Sequence, residues 1–62
     1  MKQNYRITIF TTEGVIERNF YKKEIAIEAI VEFKKRFKDF TIGIVSENTE
    51  GKWNIICSVN KF

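Results

Sequence analysis

The run Lys22-Lys23-Glu24-Ile25-Ala26-Ile27-Glu28-Ala29-Ile30-Val31-Glu32-Phe33-Lys34-Lys35-Arg36-Phe37-Lys38-Asp39 decides the fold, because here the apolar residues change period. Ala26, Ala29, Ile30, Phe33 and Phe37 recur at steps of three and four, which lines one side of a helix of about five turns. Glu24, Glu28 and Glu32 come first, and Lys34, Lys35, Arg36 and Lys38 come last. That sign order complements the helix macrodipole, and Glu32 and Arg36 are spaced for an i,i+4 ion pair.

Outward from the helix the period drops to two. Before it, Tyr5, Ile7 and Ile9 alternate with Arg6 and Thr8, with Phe10 breaking the pattern on the polar side. Thr12-Glu13-Gly14 supplies a turn, and Val15 to Phe20 reads as the returning strand of a hairpin. With Glu13-Gly14 as the tip, Ile9 faces Arg18 and Ile7 faces Phe20. Ile16 and Phe20 then join the inner side, while Val15, Glu17 and Asn19 look outward. After the helix, Thr41 to Val45 is a strand, Ser46 to Lys52 a polar connection with a second Thr-Glu-Gly turn, and Trp53 to Val59 the last strand. Trp53, Ile55, Cys57 and Val59 form one of its sides, with Ile56 the apolar exception on the other.

The element order is therefore β-β-α-β-β, an α+β fold in one domain spanning residues 1–62. A right-handed crossover through the helix predicts a four-stranded mixed sheet in the order 2-1-4-3, with strands one and four parallel at its centre and the helix on one face. In element order this resembles the β-grasp arrangement of the small immunoglobulin-binding domains of bacterial surface proteins. No sequence motif accompanies the resemblance, and no binding residue is carried over from it.

Composition narrows the chemistry. The chain has 62 residues, no histidine and a single cysteine, so the commonest general base and nitrogen ligand are missing, and neither an internal disulfide nor a cysteine zinc site can form. No cofactor or metal is expected. Glu24, Glu28 and Glu32 stack along one convex surface instead of facing each other across a cleft, which suits solubility better than hydrolysis or cation binding. Cys57 alternates inward between Ile55 and Val59, the setting of an inert thiol, and Ser46 and Ser58 have no base to activate them. The chain reads as non-catalytic. It has no run of about 20 apolar residues and no apolar leader, which predicts a soluble cytoplasmic protein without membrane contact. Abundant Ile, Lys, Asn and Phe point to an AT-rich source such as a low-GC bacterium or a phage, which suits a chain encoded by a phage or mobile element.

Binding remains as the work of the chain. One helix covers one side of a sheet, and Phe10, Val15, Val45 and Ile56 map to the other side, where a contiguous apolar patch marks a contact surface. Thr41, Ile42, Gly43, Ile44 and Val45 contain neither charge nor proline, and in the order above they form an unguarded sheet edge. Pairing of two such edges gives a homodimer, and addition of a partner's strand gives β-augmentation. The expected function is a small protein-binding module, an inhibitor or adaptor, anchored by Phe10, Val45, Trp53 and Ile56. The competing reading is RNA or single-stranded DNA binding. There Phe10 stacks bases, while Arg6, Lys34, Lys38 and Lys52 contact phosphates under the mild field of a net charge of +3.

Overall fold

The computed structural model describes residues 2–61. Two hairpins flank one helix: β1 (Tyr5–Thr11) and β2 (Gly14–Phe20), α1 (Lys23–Arg36), then β3 (Phe40–Thr49) and β4 (Lys52–Asn60). The class is α+β, one open sheet with the helix on one side.

The strand order is β2-β1-β3-β4, and every neighbouring pair is antiparallel. This corrects the expected order 2-1-4-3: no parallel pair of β1 and β4 stands at the centre, because β3 takes the free side of β1 and β4 lies at the edge. The physical reason is in the side chains. Thr41 to Val45 carry no charge or proline, so nothing in β3 discourages a neighbour on either side. β4 spends Lys52, Asn54, Ser58 and Asn60 on exposed positions, which an edge tolerates. Thr41, Ile42, Gly43 and Ile44 are therefore not a free edge, since β1 and β4 flank the strand that contains them.

β3 is also longer than the pattern suggested. The segment expected to be a polar connection continues the strand through Ser46, Glu47 and Asn48, because each polar group finds a partner or a place in the ladder. Ser46 is nearly buried, Tyr5 Oη donates to Glu47 Oε2 at 3.0 Å, and Asn48 N donates to the Asn4 carbonyl at 2.7 Å. Glu50 and Gly51 then form the tip with φ of 53° and 84°, the two positive values of a type I′ hairpin turn, and Asn48 Oδ1 accepts from Gly51 N.

In the first hairpin Thr11 faces Gly14, so the tip is Thr12-Glu13 and Ile9 faces Ile16 instead of Arg18. The register is displaced by two residues, which preserves the faces. Gly14, at φ 144°, leaves the turn where a side chain would be strained. The Thr11 hydroxyl closes the loop, donating to the Gly14 carbonyl and accepting from Glu13 N.

The helix is shorter than its apolar stripe. Phe37 is already extended, at φ −104° and ψ 117°, although its N–H still donates to the Phe33 carbonyl. Stopping at Arg36 leaves Phe37, Lys38 and Asp39 to reverse the chain and deliver Phe40 into the core. Phe37 consequently lies exposed against Phe33, ring centroids 5.0 Å apart, and does not join the buried stripe. The expected Glu32–Arg36 pair is present at 3.3 Å.

Between helix and sheet lie Ile7, Ile9, Ala26, Ile30, Phe40 and Val45, all essentially without solvent contact, with Tyr5, Ile16, Phe20, Ile27, Ala29, Phe33, Cys57 and Val59 packed around them. Val45 was expected on the uncovered side; pairing opposite Ile7 puts it beneath the helix instead.

Candidate interaction surface

Antiparallel partners project on the same side of a sheet, so the register maps the face that the helix leaves open. Phe10 stands between Val15 and Ile42. One step along, Thr8 stands between Glu17 and Ile44; one further, Arg6 between Asn19 and Ser46. β3 carries these rows to β4: Ile42 faces Asn60, Ile44 faces Ser58, Ser46 faces Ile55, and Asn48 faces Trp53.

The β3–β4 ladder slips between Val45 and Ser46, leaving Ile56 as an extra residue opposite the bond between them. Such a bulge places two successive side chains on one side. Cys57 and Val59 thus face the helix, while Trp53, Ile55 and Ile56 all project onto the open face. Ile55 was expected to point inward with Cys57; the bulge turns it out, and it is 67% exposed. The signal for it was the Ile55-Ile56 pair itself, which strict alternation cannot accommodate.

The apolar groups make a diagonal stripe. It enters at Val15, crosses Phe10 and Ile42, descends through Ile44 and ends at Ile55, Ile56 and Trp53. Val15 is 58% exposed, Ile56 38% and Phe10 37%, while Ile42, Ile44 and Trp53 are half-buried. Glu17, Thr8, Arg6 and Asn19 flank it on one side, Ser58 and Asn60 on the other.

Arg6 is the tethered cation of this face. Its guanidinium lies 4.0 Å from the Trp53 ring centroid, Nε donates to Asn19 Oδ1 at 3.0 Å, and Nη1 stands 3.9 Å from Glu17 Oε2. Lys34 belongs to the helix and Lys38 to the turn after it, so the structure does not bring them together with Arg6 and Phe10; Lys52 opens β4 at the far hairpin. The basic residues named for phosphate contact are divided between the two layers.

On the helix side, Tyr5 and Glu47 form a polar clasp at the sheet's edge of the core. The hydrogen bond to Glu47 holds the Tyr5 phenol above its usual pKa, with partial desolvation and the charges of Glu47 and Glu24 acting in the same sense. Because the folded value is raised, the contribution to stability is complete below the ordinary tyrosine value of about 10 and is lost as pH rises through the raised one. In a spectrophotometric titration, the difference between wild type and Tyr5→Phe should therefore show a midpoint above 10. A midpoint at or below that value refutes the clasp.

Two shallow grooves meet at Phe37, one lined by Ala29, Glu32, Phe33 and Arg36, the other by Thr11, Gly14, Val15, Ile16 and Asp39. Among the described residues no cluster of three or more His, Cys, Asp or Glu is gathered for a metal, and no helix is long and apolar enough to cross a membrane. Cys57 is half-buried against the core. Compared with known proteins, the chain matches no family model, no curated protein and no solved structure.

Proposed function

We propose that the chain is a non-catalytic binding module that docks protein on the open face of its sheet, acting as an inhibitor or adaptor by occupying a surface. The supporting observation is the diagonal stripe: seven apolar side chains from Val15 to Trp53 run across all four strands, and none of the described elements is laid over them. Leaving such a band wet forgoes about 25 cal/mol for each Å². Its centre holds Phe10 and its end an Arg-on-Trp stack, the residue types that dominate binding energy at interfaces.

The edges favour face docking over strand addition. β2 carries Glu17 and Arg18, and β4 is bulged at Ile55-Ile56, both devices that discourage another strand from pairing. Nucleic-acid stacking is less well supported. It needs several cations around the aromatic platform, and of those named Arg6 shares its face while Lys34 and Lys38 lie on the helix layer and Lys52 at the far hairpin.

Phe10→Asp and Ile56→Asp should each keep the circular dichroism of the wild type yet lose captured partner by roughly 30-fold, while Phe37→Asp, on the helix layer, keeps it. Equal recovery by all four proteins would remove the open face from consideration. Salt-sensitive binding of the wild type to generic single-stranded RNA would favour the nucleic-acid reading instead.

A further inference from the structure

We infer that the occupant of the open face is a second copy of this chain, bound face to face about a twofold axis. The inference rests on the docking reading above and names its partner. It follows from how the apolar stripe and the two charges of this face are laid out.

A straight stripe falls upon itself under a twofold axis that lies in the interface and crosses the stripe at its middle. That rotation exchanges the ends of the stripe and sets each flank over the same flank of the other copy. Arg6 and Glu17 lie on one flank, on opposite sides of its midpoint: Glu17 in the row of Thr8 and Ile44, toward Val15, and Arg6 in the row of Ser46, toward Ile55 and Trp53. The rotation therefore brings Arg6 of each copy over Glu17 of the other. The apolar stripes meet beside two reciprocal ion pairs, both on that flank.

Two further observations fit this occupant. Arg6 and Glu17 within one chain are only loosely paired, at 3.9 Å, with the Glu17 side chain 57% exposed, so the carboxylate is free to reach a guanidinium across the interface. The net charge of +3 would oppose self-association if it lay on this face. Among the described residues that the register places on this face the ionic side chains are Arg6 and Glu17, which cancel, and Lys34, Lys35, Arg36 and Lys38 lie on the far layer. Four strands about 4.8 Å apart and about seven residues long present roughly 400 Å² of plane. Side-chain relief adds to this figure, which puts the face at the small end of specific interfaces, the range of weak, concentration-dependent association. With that axis the strands of the two sheets cross steeply, at about 70°, and Phe10, Ile42, Ile44 and Ile56 of the two copies interleave as in orthogonally packed sheets.

Sedimentation equilibrium should give the wild type twice its 7.4 kDa mass at high micromolar concentration, and Phe10→Asp its monomer mass. The charges supply the decisive arm. Glu17→Arg alone opposes cations across the axis, and Arg6→Glu alone opposes carboxylates, so each should weaken self-association by about tenfold. An equimolar mixture of the two should restore it, since each copy then meets its complement. No rearrangement inside one chain produces recovery on mixing.

A mixture that stays monomeric, or a dimer that survives Phe10→Asp, overturns the inference. A wild type that is monomeric at high concentration also overturns it. If Phe10→Asp still loses a captured partner in that case, the docking reading stands without the second copy; if capture too is unchanged, both fail.

Discussion

Gly43→Val should leave a large fraction of the chain unfolded at room temperature. Gly43 sits in the middle of β3 where the helix crosses it, and a Cβ built there would lie 2.5 Å from Ile30 Cδ1, 2.7 Å from Ile30 Cγ1 and 3.0 Å from Phe40 Cζ. The conflict is one of space, not of backbone angle. Ile30 and Phe40 are both buried, so neither can swing into water. Overpacking of a close-packed core costs about 1–3 kcal/mol, and a branched side chain meeting two neighbours belongs at the top of that range or above it. A chain of 62 residues holds about 3–9 kcal/mol in total, so the valine consumes most of it. Gly43→Ala should fold with its melting temperature lowered by about 4–8 °C for each kcal/mol lost. Adding Ile30→Val, which removes the closest methyl, should recover at least about 0.5 kcal/mol as a favourable coupling. Thermal melts of the three variants decide the matter; a Gly43→Val protein within about 1 kcal/mol of the wild type would show that helix and sheet do not meet here.

The same glycine shows what the sequence could and could not tell. Local period fixed the elements: Ala26 and Ile30 are buried at helical spacing, and Ile7 and Ile9 at strand spacing, as their patterns required. Faces survived even where register did not, because the slip at Thr12-Glu13 was an even number of residues. Sheet order is different in kind. It depends on which of the two later strands takes the one free side of β1, and that choice is made by packing between residues far apart in sequence. Ile42-Gly43-Ile44-Val45 was read as an unguarded edge for want of charge, yet a strand without charge or proline is equally open to a neighbour on each side, and its glycine is there to admit Ile30.

The binding face was legible to the same depth. Phe10 and Ile56 lie where alternation put them, on the side away from the helix. Val45 was misplaced because nothing within Thr41 to Val45 tells which alternate residues face the helix; its pairing with Ile7 puts it there. Ile42 and Ile44, named only for an edge, turn out to carry the centre of the stripe. Ile55 was hidden by the bulge, a device that violates alternation by design and leaves two adjacent β-branched residues as its trace.

The two phenylalanines Phe10 and Phe40 separate stability from recognition, and Phe40→Ala should show the second large effect. Phe40 is the largest of the fully buried side chains, 1% exposed, and it reaches the chain's centre only because Phe37 leaves the helix and Asp39 is tied back through its carbonyl to Thr12 N at 3.2 Å. Truncation removes a ring's worth of contacts beneath Ile30. Gly43 offers no side chain to collapse into the space, so the cavity term stays near its full size. The cost should be about 3–5 kcal/mol, enough to leave a large unfolded fraction at room temperature. Phe10→Ala removes a ring already more than one-third in water and opens no cavity, so it should cost only about 1 kcal/mol while weakening whatever the face holds. Urea melts of the two alanine variants, run beside an association assay, give opposite rankings on the two axes. Similar stability losses for both would mean that Phe10 is held by the chain itself, and the stripe would then be part of the core and not a surface awaiting a partner.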